Sequence, residues 1–329
     1  MTGAVRAVGR PVRPGSRGIA FPPDPQSTGT DRASKTEDLH MPSRWTSRRQ
    51  MFRAILGGDT CVHPGSVHDP ISARIAYDLG FEVGMFAGST ASLTVLGAPD
   101  LIVLTLSEFA EQAQRIGRAA DLPLMCDADH GYGNALSVMR TVEELETAGV
   151  SGLSIEDTDL PQPFGAGDKQ RLLTVEEGIG KMKAALAGRR DPDLVIAGRT
   201  SAPMISGIED AIRRAKAYEA AGVDAIFLVG CKTRAEVEAV AAEVKLPLIL
   251  GNAPGDLADR AWLSRTGVRI ALQGHQPIQA AIQAIHDTLK ALREGTRPAD
   301  LKGVASAELM RRVTRADDYA RWGRDWLGG

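Results

Sequence analysis

The stretch PLMCDADHGYGNA, Pro123 to Ala135, closes an apolar run with two carboxylates, Asp127 and Asp129, and a glycine-broken turn follows. If the run is a β-strand, side chains two apart share a face. Asp127 and Asp129 then point to one side while Cys126 and Ala128 point to the other. A second apolar run, GLSIED, ends in Glu156 and Asp157. Three acids crowded at one end of a sheet repel one another unless a cation sits among them. Oxygen ligands without His or Cys suit Mg²⁺, or Mn²⁺, better than zinc. Taken alone the pattern has a plainer reading, since strand-end aspartates often cap the next helix and a bare DxD arises by chance. The neighbouring runs add to it: Arg199 closes DLVIAGRT, Ser89 follows FEVGMFAG and His275 follows RIALQG. Together they resemble a pocket for a small dianion whose carboxylate and keto oxygens chelate a metal while Arg199 neutralises the remaining charge. The plain readings are a surface ion pair for Arg199 and a helix-start ring bonded to a backbone carbonyl for His275.

Such side chains converge only if the strands carrying them stand side by side. Short apolar runs at 61–67, 81–88, 123–129, 152–157, 193–200, 225–229, 247–251 and 269–274 alternate with amphipathic stretches such as 135–148, 175–186, 208–221 and 234–244. The Ala148-Gly149 and Ala221-Gly222 pairs read as helix stops. Eight βα units predict a closed (β/α)₈ TIM barrel in the α/β class, in which catalytic groups sit at the C-terminal ends of the strands. In a closed barrel the strand before His275 lies beside the first strand, which brings His275 near Ser89 and Asp127. A helix over 43–56 precedes the repeat and one over 305–327 follows it. The expected domains are an N-terminal extension of residues 1–40, rich in Pro, Gly and Arg and unable to pack a core, a catalytic barrel over 41–300 and a helical segment over 301–329.

The 329 residues carry a formal net charge of −2, so no global field draws the chain to nucleic acid or to an anionic membrane. No run approaches eighteen consecutive apolar residues. Cys61, Cys126 and Cys231 lack metal-ligand or disulfide spacing, which fits a reducing cytoplasm.

The segments GSTASL (88–93), CDADHGYGN (126–134), SIED (154–157), AGRTSA (197–202) and LQGHQ (272–276), in this order, resemble the isocitrate lyase/phosphoenolpyruvate mutase superfamily over about residues 48 to 295. The resemblance implies a Mg²⁺-dependent barrel acting on α-keto acids, with Asp127 as direct metal ligand and Asp129 and Glu156 holding metal-bound water. It also implies homotetramers, dimers of dimers that exchange the last barrel helix, here about Pro277 to Arg293. Departures narrow the activity. The KKCGH motif of the lyases is absent, and EDTDLPQPFG stands where mutases and phosphonopyruvate hydrolases carry EDKxxPK. What remains is most similar to the oxaloacetate decarboxylase branch, through MFRAIL (51–56), DPISARIA (69–76), LSEFAEQAQRIGR (106–118) and DADHGYGNAL (127–136). That likeness implies Ser89, Arg199 and His275 as substrate-binding residues, with Arg199 and His275 the catalytic pair.

The chemistry expected is loss of CO₂ from a β-keto dicarboxylic acid, leaving the enolate of pyruvate. Negative charge then grows on the C2 oxygen, which a chelated metal stabilises while Arg199 clamps the C1 carboxylate. Two alternatives stay open: another superfamily activity on an α-keto acid, phosphonate-active or C–C-cleaving, and a non-catalytic keto-acid binding protein. Among other residues, His130 and Tyr132 shape the turn after the acids or touch the ligand, His63 reads as a satisfied barrel histidine and His286 as a packing residue. Asn252 is placed to reach the mouth. Cys126 and Cys231 read as structural. The Pro- and Gly-rich loop 158–171 is too long for an ordinary βα connection and reads as a lid.

Overall fold

The computed structural model describes residues 44–165, 167 and 169–328. The expected 1–40 extension and the first residues of the barrel domain lie outside them. Eight parallel strands run in sequence order: β1 (Gly65–Ser66), β2 (Gly84–Ala87), β3 (Leu124–Asp127), β4 (Gly152–Glu156), β5 (Val195–Thr200), β6 (Ala225–Leu228), β7 (Leu248–Leu250) and β8 (Val268–Ala271). The curled sheet closes through Val62, whose N–H donates to Arg269 O at 2.8 Å and whose carbonyl accepts from Ala271 N at 3.1 Å. All eight expected strands are present.

The helices are α1 (Arg44–Leu56), α2 (Pro70–Asp78), α3 (Gly88–Ala91), α4 (Leu106–Gly117), α5 (Ala135–Thr147), α6 (Val175–Gly188), α7 (Ala202–Ile205), α8 (Ile208–Ala221), α9 (Arg234–Ala241), α10 (Arg260–Arg265), α11 (Gln276–Arg293), α12 (Ala307–Thr314) and α13 (Ala316–Trp326). Their ends follow local chemistry. Thr105, Thr174 and Thr233 open α4, α6 and α9 with reciprocal bonds to a glutamate three residues on. Gly222 ends α8 at φ 100°, as the Ala221-Gly222 pair predicts.

Strand alternation sorts the buried residues into two layers. Met85, Met125, Ala197, Phe227, Ile249 and Ile270 fill the barrel, whereas Phe86, Cys126, Ile155, Ile196, Ile226 and Leu250 pack under the helices. Helix α1 closes the N-terminal end. Its Phe52 and Leu56 join the inner layer, and its arginines bind carbonyls and acids around the rim. Arg49 donates to Val150 O at 3.0 Å and Glu146 O at 2.6 Å, and Arg53 to Pro192 O at 2.6 Å and Asp224 at 2.9 Å.

Two expectations need correction. The segment 305–327 is two helices, broken at Arg315 in a left-handed conformation, φ 59°. The break aims the Arg315 guanidinium at both oxygens of Asp78 on α2, at 2.8 and 2.7 Å, while Arg74 donates to Val313 O at 3.0 Å. His286, expected to pack, lies exposed beside Asp287. It belongs to α11, of which only Ile278 is buried, while Ile282, Ile285, Leu289 and Leu292 face solvent. Among the described residues no helix is long and apolar enough to cross a membrane.

Candidate active site

At the C-terminal ends of β3, β4 and β5 the inward-facing positions are not apolar. Above Met125 on β3 comes Asp127, above Ser154 on β4 comes Glu156, and above Ala197 on β5 comes Arg199. They line one cavity of about 390 Å³, and Ser89, Asp129 and His275 line it too. The structure therefore brings together all six residues named from the sequence.

The acids and the guanidinium form a compact array. Arg199 Nη1 donates to Asp127 Oδ2, and Nη2 forms an ion pair with Glu156 Oε2 at 3.3 Å. The other Asp127 oxygen accepts from Ser154 Oγ at 3.0 Å and Asp129 N at 3.3 Å. Thr158 Oγ1 donates to Glu156 at 2.9 Å. Strand β3 ends at Asp127, and Asp129 reaches the cavity through a left-handed turn, φ 47°. Three bonds hold this turn: Glu156 N to Asp129 O at 2.8 Å, Lys181 Nζ to His130 O at 2.7 Å and Thr141 Oγ1 to Gly131 O at 3.0 Å. The Asp129 carboxylate lies so close to Gly88 that a Cβ there would overlap it.

Charge is unbalanced in this space. Asp100, Asp127, Asp129 and Glu156 crowd around Arg199 on one side of the cavity, while Asp159, Lys169 and Arg171 line it from the loop over the mouth. Burial, then Asp127 and Glu156, raises Asp129 well above the usual carboxylate range. Burial likewise raises Glu156, against the pull of Arg199. Asp100 is raised by burial and then by Asp127. For Arg199 burial alone would lower the pKa, but Asp127, Glu156 and Asp129 outweigh it and hold the group above its ordinary value. Burial lowers His275 against the opposing fields of Asp127 and Asp100, which favours the neutral ring.

Among the described residues no three His, Cys, Asp or Glu side chains stand in ligating geometry around one point, and Asp127 Oδ2 is directed at Arg199 instead. The donor set still fits a hard divalent cation. It is all oxygen, it carries surplus negative charge, and a cation would relieve the repulsion that raises Asp129. Arg199 Nε is buried without a hydrogen-bond acceptor.

The cavity has a second, apolar side. Phe227 and Val229 from the β6 end and Leu272 after β8 face the acids across the barrel, and the Phe227 ring lies 5.6 Å from the Arg199 guanidinium carbon. The loop over the mouth begins as a short two-stranded stem. Asp159 N donates to Arg171 O at 2.9 Å and Leu173 N to Asp157 O at 2.8 Å, and Leu160, Gln162 and Lys169 line the cavity. Asp157 anchors the stem from below, accepting from Tyr218 Oη at 2.6 Å and Arg214 at 3.0 Å.

Sequence reasoning missed Asp100, Thr158 and Lys169. Asp100 and Lys169 sit in loops without periodicity, where residue type alone gave no signal, whereas Thr158 directly follows the ED pair. Asn252 does not line the cavity, though Gly251 does. His130 and Tyr132 stay outside it, Tyr132 packing near the Phe109 ring at 6.2 Å. His63 donates from Nδ1 to Ala271 O at 2.8 Å, as a satisfied barrel histidine. The cysteines are free and buried, and burial pushes Cys231 up to about 12.

Residues 52–293 match the family model described as phosphoenolpyruvate phosphomutase. An oxaloacetate decarboxylase of Bradyrhizobium diazoefficiens is 61% identical over 282 residues, 86% of this chain and 98% of the relative. The solved structure of a phosphonopyruvate hydrolase complexed with oxalate and Mg²⁺ superimposes with TM-score 0.75 at 28% identity, over 85% of this chain and 99% of the other. An oxaloacetate acetylhydrolase bound to the inhibitor 3,3-difluorooxalacetate gives TM-score 0.76 at 28% identity, over 86% and 98%.

Proposed function

The chain belongs to the phosphoenolpyruvate phosphomutase family, and from that premise we propose that it decarboxylates oxaloacetate to pyruvate and CO₂ with Mg²⁺, or Mn²⁺ in its place. The observation that carries the reading is the cavity that sets an acid-rich side holding Arg199 against an apolar side. The names of the similar decarboxylases support the same substrate.

Asp127 would hold the cation directly, with Asp129 and Glu156 through water and Asp100 beside them. When bound, the cation supplies Lewis-acid stabilisation for charge developing on the substrate's C2 oxygen. Arg199 binds the C1 carboxylate and fixes which end of the molecule meets the acids. The C4 carboxylate then points toward Phe227, Val229 and Leu272, where it loses hydration without gaining a strong cationic partner. Ser89 and His275 hold the substrate oxygens. The lid excludes water and brings Lys169 to the rim, while Arg171 is occupied by Asp159 at 2.7 Å.

A homotetramer built from dimers that exchange α11 accounts for the apolar face that this helix leaves uncovered in one subunit. Three free cysteines suit the cytoplasm. The test follows CO₂ release and pyruvate formation together from oxaloacetate with Mg²⁺, subtracting the rate of metal alone, beside phosphonopyruvate and methylisocitrate. Equal formation of CO₂ and pyruvate from oxaloacetate is expected. Turnover of either other substrate in preference to it, or of none, overturns the reading.

A further inference from the structure

His275 opens α11 with no capping bond from its side chain, and its Nδ1 lies 2.9 Å from Ser66 Oγ. The two residues are 209 positions apart and meet only because β8 closes on β1. Among the described residues this is the one hydrogen bond that either side chain makes.

A neutral imidazole has one donor and one acceptor nitrogen, and the bond made by one fixes what the other offers. If Ser66 donates its hydroxyl proton to Nδ1, that proton is used and Nε2 carries the ring hydrogen. In the reverse arrangement Nδ1–H donates, the Ser66 proton has no protein acceptor, and Nε2 turns a lone pair toward a cavity already lined by carboxylates. The first arrangement satisfies both side chains and matches an anionic ligand.

We propose that Ser66 is a positioning residue that locks His275 as its Nε2–H tautomer, so that His275 meets the substrate as a hydrogen-bond donor and not as a base. The proposal rests on reading the cavity as a keto-acid site. The lowered pKa of His275 agrees with a neutral ring. One consequence concerns the enolate. A neutral Nε2–H donor that gave up its proton would become an imidazolate, so His275 holds an oxygen and does not protonate carbon.

Neutron diffraction from deuterated crystals of the full chain locates the hydrogens directly. Deuterium on His275 Nε2 and on Ser66 Oγ, aimed at Nδ1, is expected; deuterium on Nδ1 overturns the proposal. In solution Ser66→Ala should lower kcat/KM for oxaloacetate by about tenfold, mostly through KM, with Ser66→Thr restoring most of it because the hydroxyl returns. Unchanged kinetics in Ser66→Ala, or no rescue by a folded Ser66→Thr, also overturns it. If the wild-type protein does not turn over oxaloacetate, the functional reading fails while the neutron result still decides the tautomer.

Discussion

Replacing Arg199 by Met removes the guanidinium that Asp127 and Glu156 share and leaves an apolar stem of similar length. The side chains of Arg199, Asp127 and Glu156 are 16%, 12% and 5% exposed, so water replaces little of what is lost. Breaking a buried ion pair by removing one partner costs about 3–5 kcal/mol. The carboxylates can recover part of this by binding protons, at up to about 1.4 kcal/mol per pH unit for each group. Because Asp129 and Glu156 are already raised in the intact protein, further loss of positive charge raises them more. A group whose folded pKa lies above its unfolded value contributes stability below the unfolded pKa and loses it as pH rises through the folded value. The deficit of Arg199→Met should therefore be largest at pH 8, about 3–5 kcal/mol, and shrink to about 1 kcal/mol near pH 5. Urea unfolding with chelator present, at both pH values, measures it, and Arg199→Gln, which also removes the charge, serves if the Met variant does not fold. A deficit that is the same at both pH values, or below about 1 kcal/mol at pH 8, refutes the account of how these acids are held.

Chelator should abolish decarboxylation, and Asp127→Asn should bind Mn²⁺ at least about tenfold more weakly in direct titration; turnover that survives excess EDTA removes the metal from the mechanism. Tyr218→Phe deletes the 2.6 Å bond to buried Asp157 and should lower unfolding free energy by about 2 kcal/mol, with no change expected if Arg214 alone satisfies the acid. Leu289→Glu places a charge on the uncovered face of α11 and should yield species smaller than a tetramer by light scattering; an intact tetramer would locate the subunit contacts elsewhere.

The barrel was legible because each strand is short and buried on both sides, so its residues alternate between two apolar layers and read as a continuous run. Met125 faces inward and Cys126 outward, yet both are apolar. A polar residue at the end of such a run is therefore conspicuous, and Asp127, Glu156 and Arg199 stood out for that reason. Asp100 did not, because its loop has no period and only the closed barrel brings it to the acids. The break at Arg315 was equally hidden, since a left-handed arginine has no mark in composition and its partner Asp78 lies 237 residues away. Helix α11 shows a different gap: its amphipathic pattern says that a face is covered, and the pattern is silent on whether by the same subunit.

The arginines of α1 have a consequence for how the chain is made. The helix leaves the ribosome before every group it binds, and Asp224, the last partner of Arg53, follows 171 residues later. At bacterial and eukaryotic elongation rates that interval is about 10–35 s. A thirteen-residue helix with no acid in its first turn is marginal in water by itself. Among the described residues the first helix synthesised is thus among the last to find its place, and until all eight strands have emerged Phe52 and Leu56 have no finished barrel to enter. During that interval the nascent chain carries an exposed apolar and cationic segment, the kind of surface that chaperones and proteases compete for.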